Sequence, residues 1–136
     1  MSTLRGIQPD ELDEFWPVAS PLIARGLERG AGYRWTLPAL RQLIAESRCY
    51  LWLTWPDQAC AVITQIEVYP AVKLLQILVA GGRLPANWRA KVAYLENWGR
   101  SIGCTEVELG GRHGWQRLLA PDGYAPVPWI MLRKAL

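Results

Sequence analysis

Three consecutive segments between residues 50 and 79 are rich in β-branched and aromatic residues, and they constrain the fold more than any other feature. The segments are residues 50–55, 59–69 and 72–79, and they are separated by short turns containing proline. This pattern predicts an antiparallel three-strand meander. Residues 86–102 follow with apolar side chains at helical spacing, and residues 104–109 alternate in the manner of a strand. Strand, crossover helix and strand form a βαβ unit, so the strands at 72–79 and 104–109 should be parallel.

The N-terminal segment supplies one strand and two helices. Residues 3–7 can form a short strand, and apolar side chains then recur at helical spacing over residues 12–27. Pro17 and Pro21 lie inside this helix, so we expect a kink or a break there. Thr36 is placed to cap the second helix.

The C-terminal segment completes the predicted order of elements. We expect a short helix within residues 110–120 and a closing apolar strand over residues 124–134. The order β-α-α-β-β-β-α-β-α-β predicts an α/β (α+β) fold around one mixed sheet. With 136 residues and a mass of 15.4 kDa, we expect residues 1–136 to form a single domain.

Aromatic usage is skewed toward tryptophan, with eight Trp against one Phe. Six of the eight fall on predicted apolar stripes or strands and are expected at or near the core: Trp16, Trp52, Trp55, Trp88, Trp98 and Trp129. Trp35 lies in a loop, and Trp115 lies in a glycine-rich turn beside Arg112 and His113. Trp115 is therefore the tryptophan best placed for binding.

Positive charge is concentrated in the second half of the chain. Residues 1–68 carry six basic and eight acidic side chains, a net of −2, and residues 69–136 carry nine and four, a net of +5. This asymmetry is typical either of a surface that meets an anion or of a solvated face. Arg112, Trp115 and Arg117 form the cluster that would suit nucleic acid, although the signal is weak and we do not expect a nucleic-acid partner.

Other classes of site find little support in the sequence. Three cysteines without a close pair indicate reduced core thiols, neither a disulfide framework nor a metal site. A pairing of Cys104 with the single histidine, His113, has no local signature. Glu106 and Glu108 share one face of a strand. Paired carboxylates can catalyse proton transfer or bind a magnesium ion. We favour the simpler interpretation, in which they form a polar face that meets nearby arginine side chains.

No targeting or membrane segment is expected. The longest apolar runs fall well short of the about 20 residues that a membrane-spanning helix needs. The N-terminus lacks the apolar region of a signal peptide. These features predict a cytoplasmic protein with no membrane association.

Residues 79–88 join a predicted strand to a predicted helix and contain Gly81 and Gly82. Backbone N–H groups in such a turn, together with the positive end of the helix, can hold a phosphate. Two glycines also serve any tight turn, so this segment supports a phosphate site only in combination with the order of elements.

Several short sequences accompany this order: Tyr69-Pro70, Gly81-Gly82, Leu95-Glu96-Asn97-Trp98-Gly99-Arg100, Gly103-Cys104, Glu106-Val107-Glu108-Leu109, Gly111-Arg112-His113-Gly114-Trp115 and Gly123-Tyr124. With the order of elements, they resemble the GNAT N-acetyltransferases and, more narrowly, the small GNAT-like proteins of tailed bacteriophages and prophages. The resemblance implies a splayed sheet, with acetyl-CoA in the wedge between the fourth and fifth strands. It also implies that a phage-encoded protein of this kind would be found in the host cytoplasm or in the virion.

The resemblance also implies roles for particular residues. Pantetheine would run beside Leu78 to Ala80, and the pyrophosphate would meet the chain between Gly82 and Asn87. The full implied cofactor set is Val79, Ala80, Gly81, Gly82, Arg83, Asn87 and Arg89. The amine acceptor would enter near Tyr69, Arg112 and Trp115, with Glu67 as general base and His113 as second choice.

Two departures from the family pattern matter for function. The usual phosphate loop, Gln/Arg-x-x-Gly-x-Gly/Ala, corresponds to residues 83–88, which contain no glycine, and Pro85 removes one N–H donor. The family's acid tyrosine corresponds to Leu119. The sequence thus leaves two hypotheses: an acetyl-CoA-dependent N-acetyltransferase, or a GNAT fold without chemistry that acts as a virion component or binds a host protein.

Overall fold

The computed structural model describes residues 2–136, and within that range it contains five strands and four α-helices. The strands are β1 (Thr3–Ile7), β2 (Tyr50–Trp55), β3 (Cys60–Val68), β4 (Lys73–Gly82) and β5 (Glu106–Leu109). The helices are α1 (Leu12–Leu27), α2 (Leu37–Ala45), α3 (Trp88–Ser101) and α4 (His113–Leu119). A short 3₁₀ segment, Gly30–Arg34, lies between α1 and α2.

All five strands belong to one mixed sheet, in the order β1-β2-β3-β4-β5. Neighbouring strands from β1 to β4 are antiparallel, which confirms the predicted meander. β4 and β5 are parallel and are joined by α3, which confirms the predicted βαβ unit. The α/β class predicted from the sequence is therefore confirmed.

The sheet separates two hydrophobic cores. On one face, α1 and α2 cover the sheet and bury Ile23, Leu40, Leu53 and Ile63 almost completely. On the other face, α3 covers a smaller cluster that includes Trp52, Leu75, Leu95 and Cys104. Because successive strand side chains point to opposite faces, each of the central strands contributes to both cores.

α1 is continuous, so the predicted kink or break at its prolines is wrong. Pro17 and Pro21 both lie on the exposed side of α1. The carbonyl groups that lose an N–H partner to these prolines therefore face water, which can bind them in its place. The expected start of α2 is confirmed, because the Thr36 hydroxyl accepts a hydrogen bond from the Ala39 N–H at 3.3 Å.

The closing strand predicted over residues 124–134 is absent, and this part of the predicted order is wrong. Pro126 and Pro128 lie two residues apart, so on a strand they would remove two N–H donors from the same edge. Trp129, which we expected near the core, is 60% exposed, and the side chains of Ile130, Met131 and Leu132 are 82%, 75% and 88% exposed. Residues 125–136 are called the C-terminal segment below.

No helix among residues 2–136 has the length and apolar character required to cross a bilayer.

Candidate functional site

The sheet opens at one residue, Leu78 on β4. Opposite β3, Val79 pairs with Ile63 and Ile77 pairs with Thr64, so Leu78 is the extra residue of a β-bulge. Pairing between β4 and β5 ends at Ile77 and Leu109, immediately before the bulge. From Leu78 to Gly82, the edge of β4 that would face β5 has no strand partner.

A cleft with a volume of about 1410 Å³ lies where the two strands separate. Its walls come from β4, from the loop after β5, from the end of α1 with the Gly30–Arg34 segment, and from the C-terminal segment. Trp115 lines the cleft and lies over the backbone of Gly111, where an added Cβ would come within 3.0 Å of the indole ring. The cleft is therefore bounded by segments far apart in the sequence.

α1 supports this part of β4 through direct contact between backbones. A Cβ added at Gly81 would lie 1.9 Å from the Leu22 carbonyl oxygen, and one at Gly26 would lie 2.5 Å from the Ala80 carbonyl oxygen. Gly82 has a φ of +106°, and its Cβ would lie 2.3 Å from the Ala59 carbonyl oxygen. The sequence predicts that this strand ends at residue 79 and that a turn follows, but β4 continues through Gly81 and Gly82.

A row of polar side chains crosses three strands next to the bulge. In the strand register Gln65 lies opposite Gln76, and Gln76 lies opposite Glu108. All three side chains line the cleft, as does Glu67, which is two residues from Gln65 on β3. Glu67 and Glu108 are half-buried, and neither forms an ion pair with any residue in the range 2–136. This end of the cleft offers carbonyl and carboxylate oxygens, which suit a group that donates hydrogen bonds or carries positive charge.

The opposite end of the cleft lies near the start of α3 and carries positive charge. The first turn of α3 contains no acidic residue, and the Asn87 side chain does not cap it. Lys91 lines the cleft and is only 7% exposed, and its Nζ atom has no hydrogen-bond partner. Oxygen acceptors therefore lie near the bulge, and a buried lysine lies near the start of α3.

The cleft brings together some of the site residues expected from the sequence. Val79, Ala80, Gly81, Gly82, Glu67, Arg112 and Trp115 all line it. Tyr69, Arg83, Asn87, Arg89 and His113 are exposed and are not part of its lining. Arg89 is engaged elsewhere, because it donates hydrogen bonds to the Asp122 carboxylate and the Leu118 carbonyl and stacks on the Trp88 ring.

Tyr124 lines the cleft, and a hydrogen bond holds its hydroxyl. Its hydroxyl donates to the Glu96 carboxylate at 2.7 Å. Burial raises the pKa of the Tyr124 phenol well above its usual value, and the hydrogen bond to Glu96 adds to this effect. Leu119, which the resemblance places where the GNAT enzymes have an acid tyrosine, is 4% exposed, and its side chain has no proton to donate.

The cysteines have the character of core residues. Cys49 and Cys104 are buried, Cys60 is half-buried, and all three are free thiols. Burial raises the pKa of both Cys49 and Cys60 to about 11, which keeps these thiols protonated and poorly nucleophilic at neutral pH. Among residues 2–136, no group of three or more His, Cys, Asp or Glu side chains is arranged to hold a metal ion.

Gln65, Gln76 and Lys91 are among the lining residues that were not expected from the sequence. Gln65 and Gln76 stand out only once the register places them opposite each other and beside Glu108. Lys91 has a usable signal, because it stands four and eight residues before Leu95 and Gly99, which are the other buried positions of α3. A lysine on an otherwise apolar stripe of a helix indicates a buried charge, and this pattern could have identified Lys91 from the sequence.

Solved structures define the class to which this fold belongs. A GCN5-related N-acetyltransferase from Ralstonia eutropha matches with a TM-score of 0.72 and 14% identity, over 98% of this chain and 99% of that one. The chain therefore has the fold of the GCN5-related N-acetyltransferases (GNAT), and the predicted splayed sheet is confirmed.

Two further solved structures are similar to this chain over nearly its whole length. A ribosomal-protein-alanine N-acetyltransferase from Brucella melitensis matches with a TM-score of 0.70 and 14% identity, over 100% of this chain and 99% of that one. A predicted acetyltransferase from Clostridium acetobutylicum, solved with acetyl-CoA, matches with a TM-score of 0.69 and 9% identity, over 98% of this chain and 96% of that one. No protein-family model and no curated protein sequence matches the chain.

Proposed function

We propose that the protein is an N-acetyltransferase that transfers an acetyl group from acetyl-CoA to an amine, and that residues 1–136 act as one GNAT-like domain. The observation that carries the proposal is the opening of the sheet at Leu78. There a bulge and the end of the β4–β5 pairing coincide and expose the edge of β4 to the cleft. The Clostridium acetobutylicum structure, which has the same fold, was solved with acetyl-CoA.

The free edge of β4 suits the pantetheine arm of acetyl-CoA. An extended chain with two amide groups can hydrogen-bond to the unpaired backbone along Val79 and Ala80, in the way that an added strand does. A backbone N–H at the bulge would polarise the thioester carbonyl and stabilise the negative charge that develops on its oxygen. Gly81 and Gly82 act by allowing this stretch of β4 to lie against α1 and β3.

The polar row supports an amine as the acceptor. In the reaction the amine nitrogen attacks the thioester carbon, the carbon–sulfur bond breaks, and the leaving thiolate gains the proton that the nitrogen loses. Glu67 is the proposed base, because it is half-buried, lines the cleft and forms no ion pair within the described residues. Arg112 and Trp115 line the acceptor side of the cleft, and Tyr69 and His113 are proposed to act there from its exposed surroundings.

A second candidate function is a GNAT fold without chemistry, which would act as a virion component or would bind a host protein. The observation that favours it is the C-terminal segment, which carries apolar side chains that are mostly exposed. Leu119 in the place of the acid tyrosine also agrees with it. The narrower resemblance to phage-encoded proteins stays a prediction.

Acetyl-CoA binding tests the proposed function. We expect calorimetry to detect binding to the wild type, and we expect Ala80→Phe to weaken it by about tenfold or more, because the ring would fill the space beside the exposed β4 edge. Ala93→Phe is the matched control, since Ala93 is exposed on α3 and does not line the cleft. Absence of heat and of a thermal shift at millimolar acetyl-CoA would exclude the acetyltransferase.

A further inference from the structure

Lys91 occupies a position on α3 that packing alone would give to an apolar residue. The buried residues of α3 are Lys91, Leu95 and Gly99, which form one stripe at a spacing of four that faces the sheet. Lys91 is 7% exposed, and its Nζ atom donates no hydrogen bond to any residue in the range 2–136. A buried ammonium group without a partner destabilises the folded state, and a bound anion would offset this effect.

The groups around Lys91 do not neutralise its charge. On β2, the Thr54 hydroxyl is already occupied, because it accepts from the N–H groups of Ala59 and Cys60 and donates to the Cys60 carbonyl. The Cys60 thiol stays protonated, since burial raises its pKa to about 11. No carboxylate in the described range forms an ion pair with Lys91.

The start of α3 adds positive potential to the same place. Side chains on a helix lean toward its N-terminus, so the Lys91 side chain leans toward the first turn of α3. The N–H groups of that turn carry the positive end of the helix dipole, no acidic residue lies among them, and the Asn87 side chain does not cap them. The charge of Arg89 is directed to Asp122. Lys91 is therefore the buried cation at this end of the cleft.

We propose that Lys91, together with the first turn of α3, binds a phosphate-bearing ligand through its diphosphate, and that this ligand is the CoA moiety of the proposed acetyl donor. This inference rests on the proposed function and assigns to it a residue outside the phosphate loop. Residues 83–88 contain no glycine, so side chains limit how closely this backbone can approach a phosphate. Pro85 has no N–H, and the N–H of Arg83 already donates to the Ala59 carbonyl. A buried ammonium on α3 would compensate for this weaker loop.

The test compares Lys91→Met with wild type, using three probes: CoA, inorganic pyrophosphate and S-acetylpantetheine, which carries no phosphate. Lys134→Met is the control, because it makes the same change of charge at an exposed position. We expect Lys91→Met to weaken binding of CoA and pyrophosphate by about tenfold or more and to leave S-acetylpantetheine unaffected. We also expect its melting temperature to rise, because an unpaired buried charge is removed. Lys134→Met should change none of these.

Each outcome separates this inference from the proposed function. If Lys91→Met binds CoA as tightly as wild type, the role of Lys91 is wrong and the acetyltransferase still stands. If wild type binds pyrophosphate in a Lys91-dependent way but binds neither CoA nor S-acetylpantetheine, the anion site stands and the acetyltransferase fails. If wild type binds none of the three probes, both fail. Lys91→Gln, which keeps a polar group but loses the charge, should repeat the loss of binding and serves if Lys91→Met folds poorly.

Discussion

At the scale of single residues, the cleft depends on glycines that let two backbones touch. Gly81 on β4 lies against the Leu22 carbonyl, and Gly26 on α1 lies against the Ala80 carbonyl. A side chain at either position would collide with the backbone of the other element. The close approach of α1 to β4 beside the cleft therefore requires glycine at both positions.

Replacing Gly81 with alanine should strain this contact. The new Cβ would lie 1.9 Å from the Leu22 carbonyl oxygen, so α1 or β4 must move. We expect Gly81→Ala to lower the free energy of unfolding by about 1–3 kcal/mol, measured by urea denaturation. Gly114→Ala is the control, since no atom lies within 4 Å of its added Cβ in α4, and alanine there should be neutral or slightly stabilising. Equal stability of Gly81→Ala and wild type would contradict the close approach of α1 to β4.

At the scale of elements, Tyr124 and Glu96 join the turn after α4 to α3, in addition to the bond from Arg89 to Asp122. The Tyr124 hydroxyl donates to Glu96, and both side chains are partly buried. We expect Tyr124→Phe to lower the free energy of unfolding by about 1 kcal/mol at pH 7. Tyr94→Phe, at a residue 51% exposed on the same helix, should change it by less than about 0.5 kcal/mol.

The same pair gives a pH dependence with a definite sign. Burial and Glu96 hold the pKa of Tyr124 above that of the unfolded chain, which is near 10.0. The unfolded state therefore loses the phenolic proton first, and the stabilisation from Tyr124 is complete below pH 10 and is lost as the pH rises further. Denaturation curves from pH 7 to pH 11 should show a smaller alkaline loss in Tyr124→Phe than in wild type. An identical loss in both proteins would show that Tyr124 does not carry this effect.

Most elements could be predicted because their signals are local. The segments that became β2, β3 and β4 were evident from composition, and the segment that became α3 was evident from its period. The bulge at Leu78 could not be predicted, because it is a relation between two strands and leaves the alternation of β4 almost unchanged. The polar row could not be predicted for the same reason, since Gln65, Gln76 and Glu108 are separated in the sequence and meet only through register.

In the C-terminal segment, by contrast, the sequence predicts a strand that the structure does not contain. Its apolar residues predict a strand, but Pro126 and Pro128 lack the N–H groups that pairing with a neighbouring strand requires. The segment does reach the site in a different way, because Val127, Trp129 and Met131 line the cleft. Arg133 lies 4.7 Å from the Tyr33 ring centroid, and Arg34 and Arg133 lower the pKa of that tyrosine. An extended apolar segment thus forms a wall, not a strand.

At the scale of the whole molecule, the C-terminal segment should contribute little to the stability of the fold. It forms no strand, and its large side chains from Trp129 to Leu132 are 60% to 88% exposed. We expect deletion of residues 126–136 to change the melting temperature by no more than about 4 °C, which corresponds to a loss below about 1 kcal/mol. Deletion should also reduce binding of a hydrophobic dye. Loss of cooperative unfolding would show that the segment belongs to the core.

The shortness of β5 has a consequence for behaviour in concentrated solution. An unpaired strand edge invites another chain to add to the sheet, and the segment from Trp129 to Leu132 has the composition of a strand that could do so. β5 offers only four residues, its edge carries Glu106 and Glu108, and Gly110 and Gly111 follow at once. An incoming strand would gain few hydrogen bonds and would confront two carboxylates. The early end of β5, which leaves the edge of β4 open to the cleft, thus also limits the addition of a further strand at β5.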